Sequence, residues 1–177
     1  MKLLLHTCCA PCSIYPVKVL QEMDMDIMGF FYRYNIHPFQ ECMKREETLK
    51  QYSQSIGLKV IYQSDYQIEK FLQSTVFREK ERCRYCYYDR LKATALVAEK
   101  GKFEGFTTTL LYSRFQNHGL IKQTGEDLAA RYGLKFFYHD FREGWKFGIE
   151  TSKQLEMYRQ QYCGCIYSEK ERYYNNE

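Results

Sequence analysis

Seven of the eight cysteines in this 177-residue chain fall into three tight groups: Cys8-Cys9-Ala10-Pro11-Cys12, Cys83-x-x-Cys86 and Cys163-Gly164-Cys165. The groups are far apart along the chain, so only folding brings them together, and a metal centre is the economical reason for a fold to do so. A soft, thiolate-rich site selects iron–sulfur clusters or zinc over oxygen-loving ions. One tetrahedral zinc or one 4Fe-4S cluster uses four thiolates. Three cysteines are then surplus to a structural site, and the surplus is where chemistry belongs.

Each group carries its own alternatives. The Cys8–Cys12 loop stands where a phosphate loop stands in nucleotide-binding α/β proteins, yet it contains no glycine. Its Cβ atoms would keep phosphate from the backbone, which argues against ATP. Thiols beside a helix N-terminus have depressed pKa values, in strong cases ~3.5–7.5, and this favours metal ligation. Cys9 and Cys12 alone have the spacing of a thioredoxin-like redox pair; the adjacent Cys8 and the two further groups favour ligation. Cys83-x-x-Cys86 suits zinc or an iron–sulfur cluster, and structural zinc is the simplest alternative. Cys163 and Cys165 are spaced for a strained, reducible disulfide, for a shared second metal, or for two inert thiols. Cys42 reads as a small buried apolar residue. Of the four histidines, His37 and His139 lie at strand ends with some claim to function; His6 and His118 have weaker claims.

These groups need a frame to position them. Lys2–His6 reads as a strand, followed by a turn over Thr7–Ser13 and a helix carrying Ile14, Val17, Leu20 and Met23. Asp26–Tyr34 reads as a strand, Gln40–Ile56 as a helix stopped by Gly57, and Leu58–Tyr62 as a strand. A helix from Arg84 to Lys100, presenting Tyr88, Leu91, Ala95 and Ala98 on one face, ends at Gly101. Gly105–Leu110 reads as a strand, Asn117–Tyr132 as a helix, Leu134–His139 as a strand and Ser152–Gln160 as a last helix. Strands alternating with helices predict a single α/β domain over residues 1–177 with a mainly parallel sheet. Ligands of such sheets bind beyond the carboxyl ends of the strands. The first cysteine group, Ser113, Asn117 and Asp140 would all meet at that edge.

The bulk composition is that of a globular chain, 45% apolar and 27% charged, with an unusual 17% aromatic share. No apolar run reaches the ~18–20 residues of a membrane span, and the N-terminus lacks a signal-peptide core. A cytoplasmic location is expected, where grouped cysteines bind metals rather than form a disulfide framework. Net charge is +4, and residues 78–102 hold the whole excess, with eight basic and four acidic side chains around Tyr85, Tyr87 and Tyr88. Basic groups interleaved with aromatics suit a flexible nucleic acid; the plain alternative is a solvated helix face. The segment encloses Cys83 and Cys86, so metal and basic patch are neighbours by covalent necessity.

Six ordered segments, LLLHTCCAPCS, NIHP, RCRYCYYDRL, TTLLYS, HDFREG and YRQQYCGCIYS, resemble the cobalamin-independent epoxyqueuosine reductase family over nearly the whole chain. The resemblance implies a fold similar to the adenine-nucleotide α-hydrolase-like (HUP-like) proteins, with a cysteine loop in place of the phosphate loop. It also implies deoxygenation of the epoxide of epoxyqueuosine at the wobble position of the tRNA anticodon stem-loop, the last step of queuosine synthesis. A 4Fe-4S cluster and a neighbouring mononuclear iron come with it, and an electron donor that the sequence does not name. Taken with that chemistry, the inventory assigns Cys8, Cys9, Cys83 and Cys86 to the cluster. Cys163 and Cys165 become a redox pair or bind the second iron with Asp140, and Cys12 is in reserve for either site. The alternative is a zinc-stabilised tRNA-binding or persulfide sulfur-transfer protein. Two positions depart from the family pattern: Arg33-Tyr34 stands where Asn-Pro is expected, and Arg114 where Pro is expected. Both bear on substrate loops rather than on the metal site.

Overall fold

The computed structural model describes residues 1–174. Its centre is β1 (Lys2–Thr7), whose Leu3, Leu4 and Leu5 are fully buried on both faces, as expected of the middle strand in a parallel sheet covered by helices. Four more strands join it: β2 (Asp26–Phe31), β3 (Val60–Tyr62), β4 (Gly105–Thr108) and β5 (Lys135–Phe136). All pairings are parallel and the order is β3-β2-β1-β4-β5. From β1 the chain builds outward through β2 and β3, then returns to β4 on the other side. That reversal puts a crevice beyond the carboxyl ends of β1 and β4, where α/β sheets bind ligands.

The helices are α1 (Ala10–Glu22), α2 (Phe39–Ser55), α3 (Ile68–Thr75), α4 (Arg82–Lys100), α5 (His118–Tyr132), α6 (Trp145–Gln154) and α7 (Ile166–Tyr173). Helix α1 begins at Ala10, earlier than the sequence pattern suggests, with Cys9 as its N-cap and proline in the first turn. Proline there costs nothing, because its missing N–H would have had no partner. Cys12 therefore sits on the first turn of α1 rather than in a loop. Asn117 caps α5 by accepting the Leu120 N–H, and Gly133 ends it in the left-handed region at φ 64°, a conformation glycine adopts freely.

Several expectations need correction. The core-facing tyrosine of α4 is Tyr87, not Tyr88, which is part-exposed; Tyr87 joins Leu91, Ala95 and Ala98 in the core. The last predicted helix lies earlier: α6 runs over Trp145–Gln154, and Met157–Cys165 is irregular chain before α7. Helices α3 and α7 are additional. Strand β5 is only two residues long, and β4 gives way after Thr108 to a 3-10 turn over Thr109–Tyr112. Among the described residues no helix is long and apolar enough to cross a membrane.

Candidate metal centre

Cys8, Cys9 and Cys12 converge at the carboxyl end of β1, with one sulfur from each within 4.8 Å of the others. Cys8 Sγ and Cys9 Sγ are 3.8 Å apart. That matches the edge of a thiolate tetrahedron around one ion with metal–sulfur bonds of about 2.3 Å. Three donors meet at the first turn of α1, where free N–H groups and the positive end of the helix favour anionic sulfur. The trio also shares its protons unevenly. Contacts from the Cys12 and Cys9 thiols, with Arg90 nearby, hold Cys8 well below the usual thiol range. Burial drives Cys9 the opposite way, and the contacts with Cys8 and Cys9 do so for Cys12. The Thr109 hydroxyl, from the turn after β4, lies 3.4 Å from Cys8 Sγ. On the other side the Gln160 amide nitrogen reaches Cys9 Sγ at 2.9 Å and Cys12 Sγ at 3.2 Å, while the buried Gln160 Oε1 has no partner. An orphaned buried oxygen beside three thiols is what a site built for a further polar group looks like.

Helix α4 supplies the second group. Cys86 is half-buried, and its sulfur accepts from Arg90 Nε at 3.2 Å and from Asn35 Nδ2 at 3.5 Å. Burial pushes the Cys86 thiol up to about 11, so a bare site keeps the proton that a metal would displace. Cys83, one turn earlier, is exposed. Neither belongs to the tight trio. Among the described residues Cys8, Cys9 and Cys12 form the one such convergence of three donors. Cys12, held in reserve on sequence grounds, is thus brought to Cys8 and Cys9.

The third group is folded back over the first two. Arg45 is almost wholly buried and donates to the carbonyls of Cys163 at 2.9 Å and Tyr162 at 3.0 Å. The His37 N–H donates to the Gly164 carbonyl at 2.7 Å, and His37 Nδ1 accepts the Ile166 N–H at 3.2 Å. Gly164 has φ 156°, and a Cβ there would lie 3.1 Å from the Asn35 carbonyl oxygen and about as close to the Arg45 and Arg90 guanidiniums. Only glycine fits that passage. Cys163 is exposed and faces Gln116 Nε2 at 3.3 Å, whereas Cys165 packs against Ser168 Oγ at 3.6 Å. All eight cysteines are free thiols. Asp140 stands apart: it caps the turn over Phe141–Gly144 and is gripped by Arg142, which holds its carboxyl down at about 2.

Several site residues had no signal of their own in the sequence. His6, given a weak claim, is fully buried; its Nδ1 faces Thr108 Oγ1 at 2.8 Å and its Nε2 faces Arg90 Nη1 at 3.4 Å. Burial, with Arg90 beside it, depresses its pKa to about 3, so the ring is neutral. His37 anchors the third cysteine group, His139 is half-buried over Phe141, and His118 packs near Tyr138. Cys42 is fully buried, as its helical position predicts. Arg45, Arg90 and Gln160 had no motif to mark them, although Arg90 follows Cys86 by four residues and so shares its helix face. Arg33 and Arg114, the departures noted above, are accommodated: Arg33 pairs with Glu46 at 2.6 Å, and Arg114 lies 5.6 Å over the Trp145 ring.

A cavity of about 360 Å³ opens beside the cysteines, with Cys12, Cys163, Gln116, Phe115, Trp145 and Tyr162 in its wall. Phe115 is 83% exposed and meets the Trp145 ring edge-on, while Trp145 stacks on Tyr112. A larger groove of about 610 Å³ runs between α4 and α5 and contains Arg78, Arg84, Arg131, Tyr85 and Tyr88 but no cysteine. Tyr87 and Arg90 of the basic segment are buried and so unavailable to a partner.

A five-stranded parallel α/β sheet with three cysteines gathered at the carboxyl end of its central strand, where a phosphate loop stands in nucleotide-binding α/β proteins, defines the class of fold and site. The fold is shared with a solved structure described as a predicted subunit of tRNA methyltransferase from Methanocaldococcus jannaschii. That match has TM-score 0.56 at 11% identity and covers 85% of this chain and 75% of that one. Residues 3–171 match the family model described as epoxyqueuosine reductase QueH, and the chain belongs to that family. It is 37% identical over 172 residues to the epoxyqueuosine reductase QueH of Dehalococcoides mccartyi, covering 97% of this chain and 94% of the relative. It is 35% identical over 179 residues to that of Thermotoga maritima, covering 96% and 91%.

Proposed function

We propose that this chain reduces epoxyqueuosine in tRNA to queuosine, the final step in making that modified base. Beyond family membership, the observation that carries the reading is the cavity in which thiols and aromatic rings face the same space. A base that undergoes chemistry is taken out of its stack and held against aromatic side chains. Phe115 and Trp145 serve as that surface, and they hold the base with its epoxide toward Cys12 and Cys163. In the reaction both carbon–oxygen bonds of the epoxide break, a carbon–carbon double bond forms, and the oxygen leaves as water after taking up two electrons and two protons. A bound 4Fe-4S cluster supplies electrons one at a time, drawn from a donor that docks separately.

The residues fit such a group: buried sulfurs at a helix N-terminus, a buried cation beside Cys86 and an unsatisfied amide oxygen at Gln160. Cys8, Cys9, Cys83 and Cys86 are the proposed ligands, with Cys12 close enough to exchange with one of them. Cys163 and Cys165 act as a dithiol or hold a second iron, and Asp140 joins them only after parting from Arg142. The part-exposed basic and tyrosine side chains of the α4–α5 groove guide the anticodon stem-loop.

A specific observation favours a second reading. The 3.8 Å separation of Cys8 and Cys9 suits one ion, so zinc with a tRNA-binding or persulfide-transfer role is the alternative. The test uses protein purified and reconstituted without oxygen, a chemical reductant and tRNA carrying epoxyqueuosine. Iron binding and loss of one oxygen from the base, read by mass spectrometry, are expected. Stoichiometric zinc with no iron would overturn the cluster, and iron-loaded protein that leaves the epoxide intact would overturn the reductase.

A further inference from the structure

Arg90 is a cation sealed into the protein without an ion-pair partner. It is 1% exposed, and among the described residues no carboxylate oxygen lies within salt-bridge distance of its guanidinium. Its partners are Cys86 Sγ at 3.2 Å, the Asn35 carbonyl at 3.0 Å and the neutral His6 ring at 3.4 Å. The other deeply buried arginine, Arg45, shows the usual arrangement, with Glu41 at 2.7 Å. A buried charge without a counter-charge is not sustained unless something else supplies one. The nearest group that can become anionic is the Cys86 sulfur, one helical turn away and 3.2 Å from Nε, with Cys8, Cys163 and the part-buried Asp89 further out in its field. Metal binding fixes these sulfurs as thiolates. Those three cysteines come from the three separate groups, so the charge of one guanidinium acts on all of them. Gly164 packs beside it, where a Cβ would lie 3.5 Å from Arg90 Nη2.

We propose that Arg90 is the internal counter-ion of the cysteine site, a positioning residue that holds Cys86 and makes the bound metal centre easier to reduce. The inference rests on the metal-centre reading above and concerns a different property of it. An electron added to the centre makes it more negative, and a fixed positive charge in a low-dielectric interior stabilises the reduced form more than the oxidised one. Removing the charge lowers the midpoint potential.

The test compares full-length wild type, Arg90→Met and Arg90→Lys after anaerobic reconstitution, by iron per chain and by redox titration of the visible absorption. Arg90→Met is expected to shift the oxidised-to-reduced ratio at a given potential at least tenfold, about 59 mV for one electron, with Arg90→Lys close to wild type. Wild-type potential in an iron-loaded Arg90→Met protein overturns the proposal while leaving the cluster standing. Wild-type protein that takes only zinc overturns both, and is recognised by metal analysis alone. If Arg90→Met fails to load while Arg90→Lys loads, the charge is what the site requires. If both fail alike, the arginine fork and not its charge is what matters, and the proposal falls.

Discussion

Replacing Glu41 with Ala should unfasten the Cys163 loop from the rest of the protein. Glu41 and Arg45 lie one turn apart on α2, both buried, with Oε1 to Nε at 2.7 Å. The other carboxylate oxygen of Glu41 accepts the Tyr158 hydroxyl. The remaining donors of Arg45 go to the carbonyls of Cys163 and Tyr162. Removing the carboxylate strands a desolvated guanidinium, and breaking a buried pair from one side costs about 3–5 kcal/mol. For a domain of this size each kcal/mol lowers Tm by roughly 2–4 °C, so a fall of about 6–20 °C is expected. The double variant Glu41→Ala/Arg45→Met removes both charges. It still leaves two carbonyls and a hydroxyl short of partners, at about 1–3 kcal/mol each where they stay dry. The double variant should therefore remain destabilised, yet by clearly less than the two single variants added together. Thermal and urea unfolding of the reduced, metal-free protein measure this, with the urea slope checked for constancy. A cost under about 1 kcal/mol for Glu41→Ala would refute the reasoning, as would strict additivity in the double variant, because either result means that the pair is hydrated in solution.

The remaining predictions concern metal, pH and RNA. Cys8→Ser and Cys86→Ala should lose bound metal and visible absorption, whereas Cys42→Ser should retain both; full metal content in either of the first two removes that residue from the site. His37 is held neutral, its Nε2 facing the Tyr34 carbonyl and its Nδ1 accepting the Ile166 N–H, and burial lowers its pKa from 6.5 to about 4. The unfolded chain then binds the extra proton between those values, so this stability is present above pH 6.5 and is lost as pH falls toward 4, by up to about 3 kcal/mol. His37→Asn should flatten the dependence of Tm on pH in that window, and an unchanged slope would show that His37 is not the group responsible. Arg84→Glu with Lys92→Glu should weaken tRNA binding and reduce the log–log salt slope by about 0.7–0.9 for each phosphate no longer neutralised; an unaltered slope returns that face to plain solvent exposure. Phe115→Ala should raise KM for tRNA with iron content unchanged, and wild-type KM would take the ring out of the substrate surface.

Local pattern carried much of the architecture because it is written in residues that interact with near neighbours. The Leu3-Leu4-Leu5 run has to be a strand buried on both faces, and Gly101 and Gly133 stop α4 and α5 where backbone geometry permits. Patterns failed where the deciding interaction was distant. Tyr87 and Tyr88 are adjacent and chemically identical, and the choice of which faces inward depends on Gln116 and Asn117, which bond the Tyr87 hydroxyl from beyond β4. Helix α6 starts at Trp145 because Asp140 and Arg142 set up the turn before it, and its ending frees residues 157–165 to cross the site.

The sequence by itself determined the family to which this chain belongs and the gathering of its cysteines into three groups. Cysteine grouping is a composition-level signal, and few physical roles other than metal binding or redox chemistry call for it. Only the tertiary structure decided the company those thiols keep. It brought Cys12 to Cys8 and Cys9, sent Asp140 to Arg142, and turned Arg90 from a member of a basic surface segment into a buried cation bonded to the Cys86 sulfur. Those outcomes depend on burial and on partners up to 151 residues away in the chain, as Gln160 is from Cys9. The free energy of a charge is set by what surrounds it in space, and a linear sequence does not contain that information.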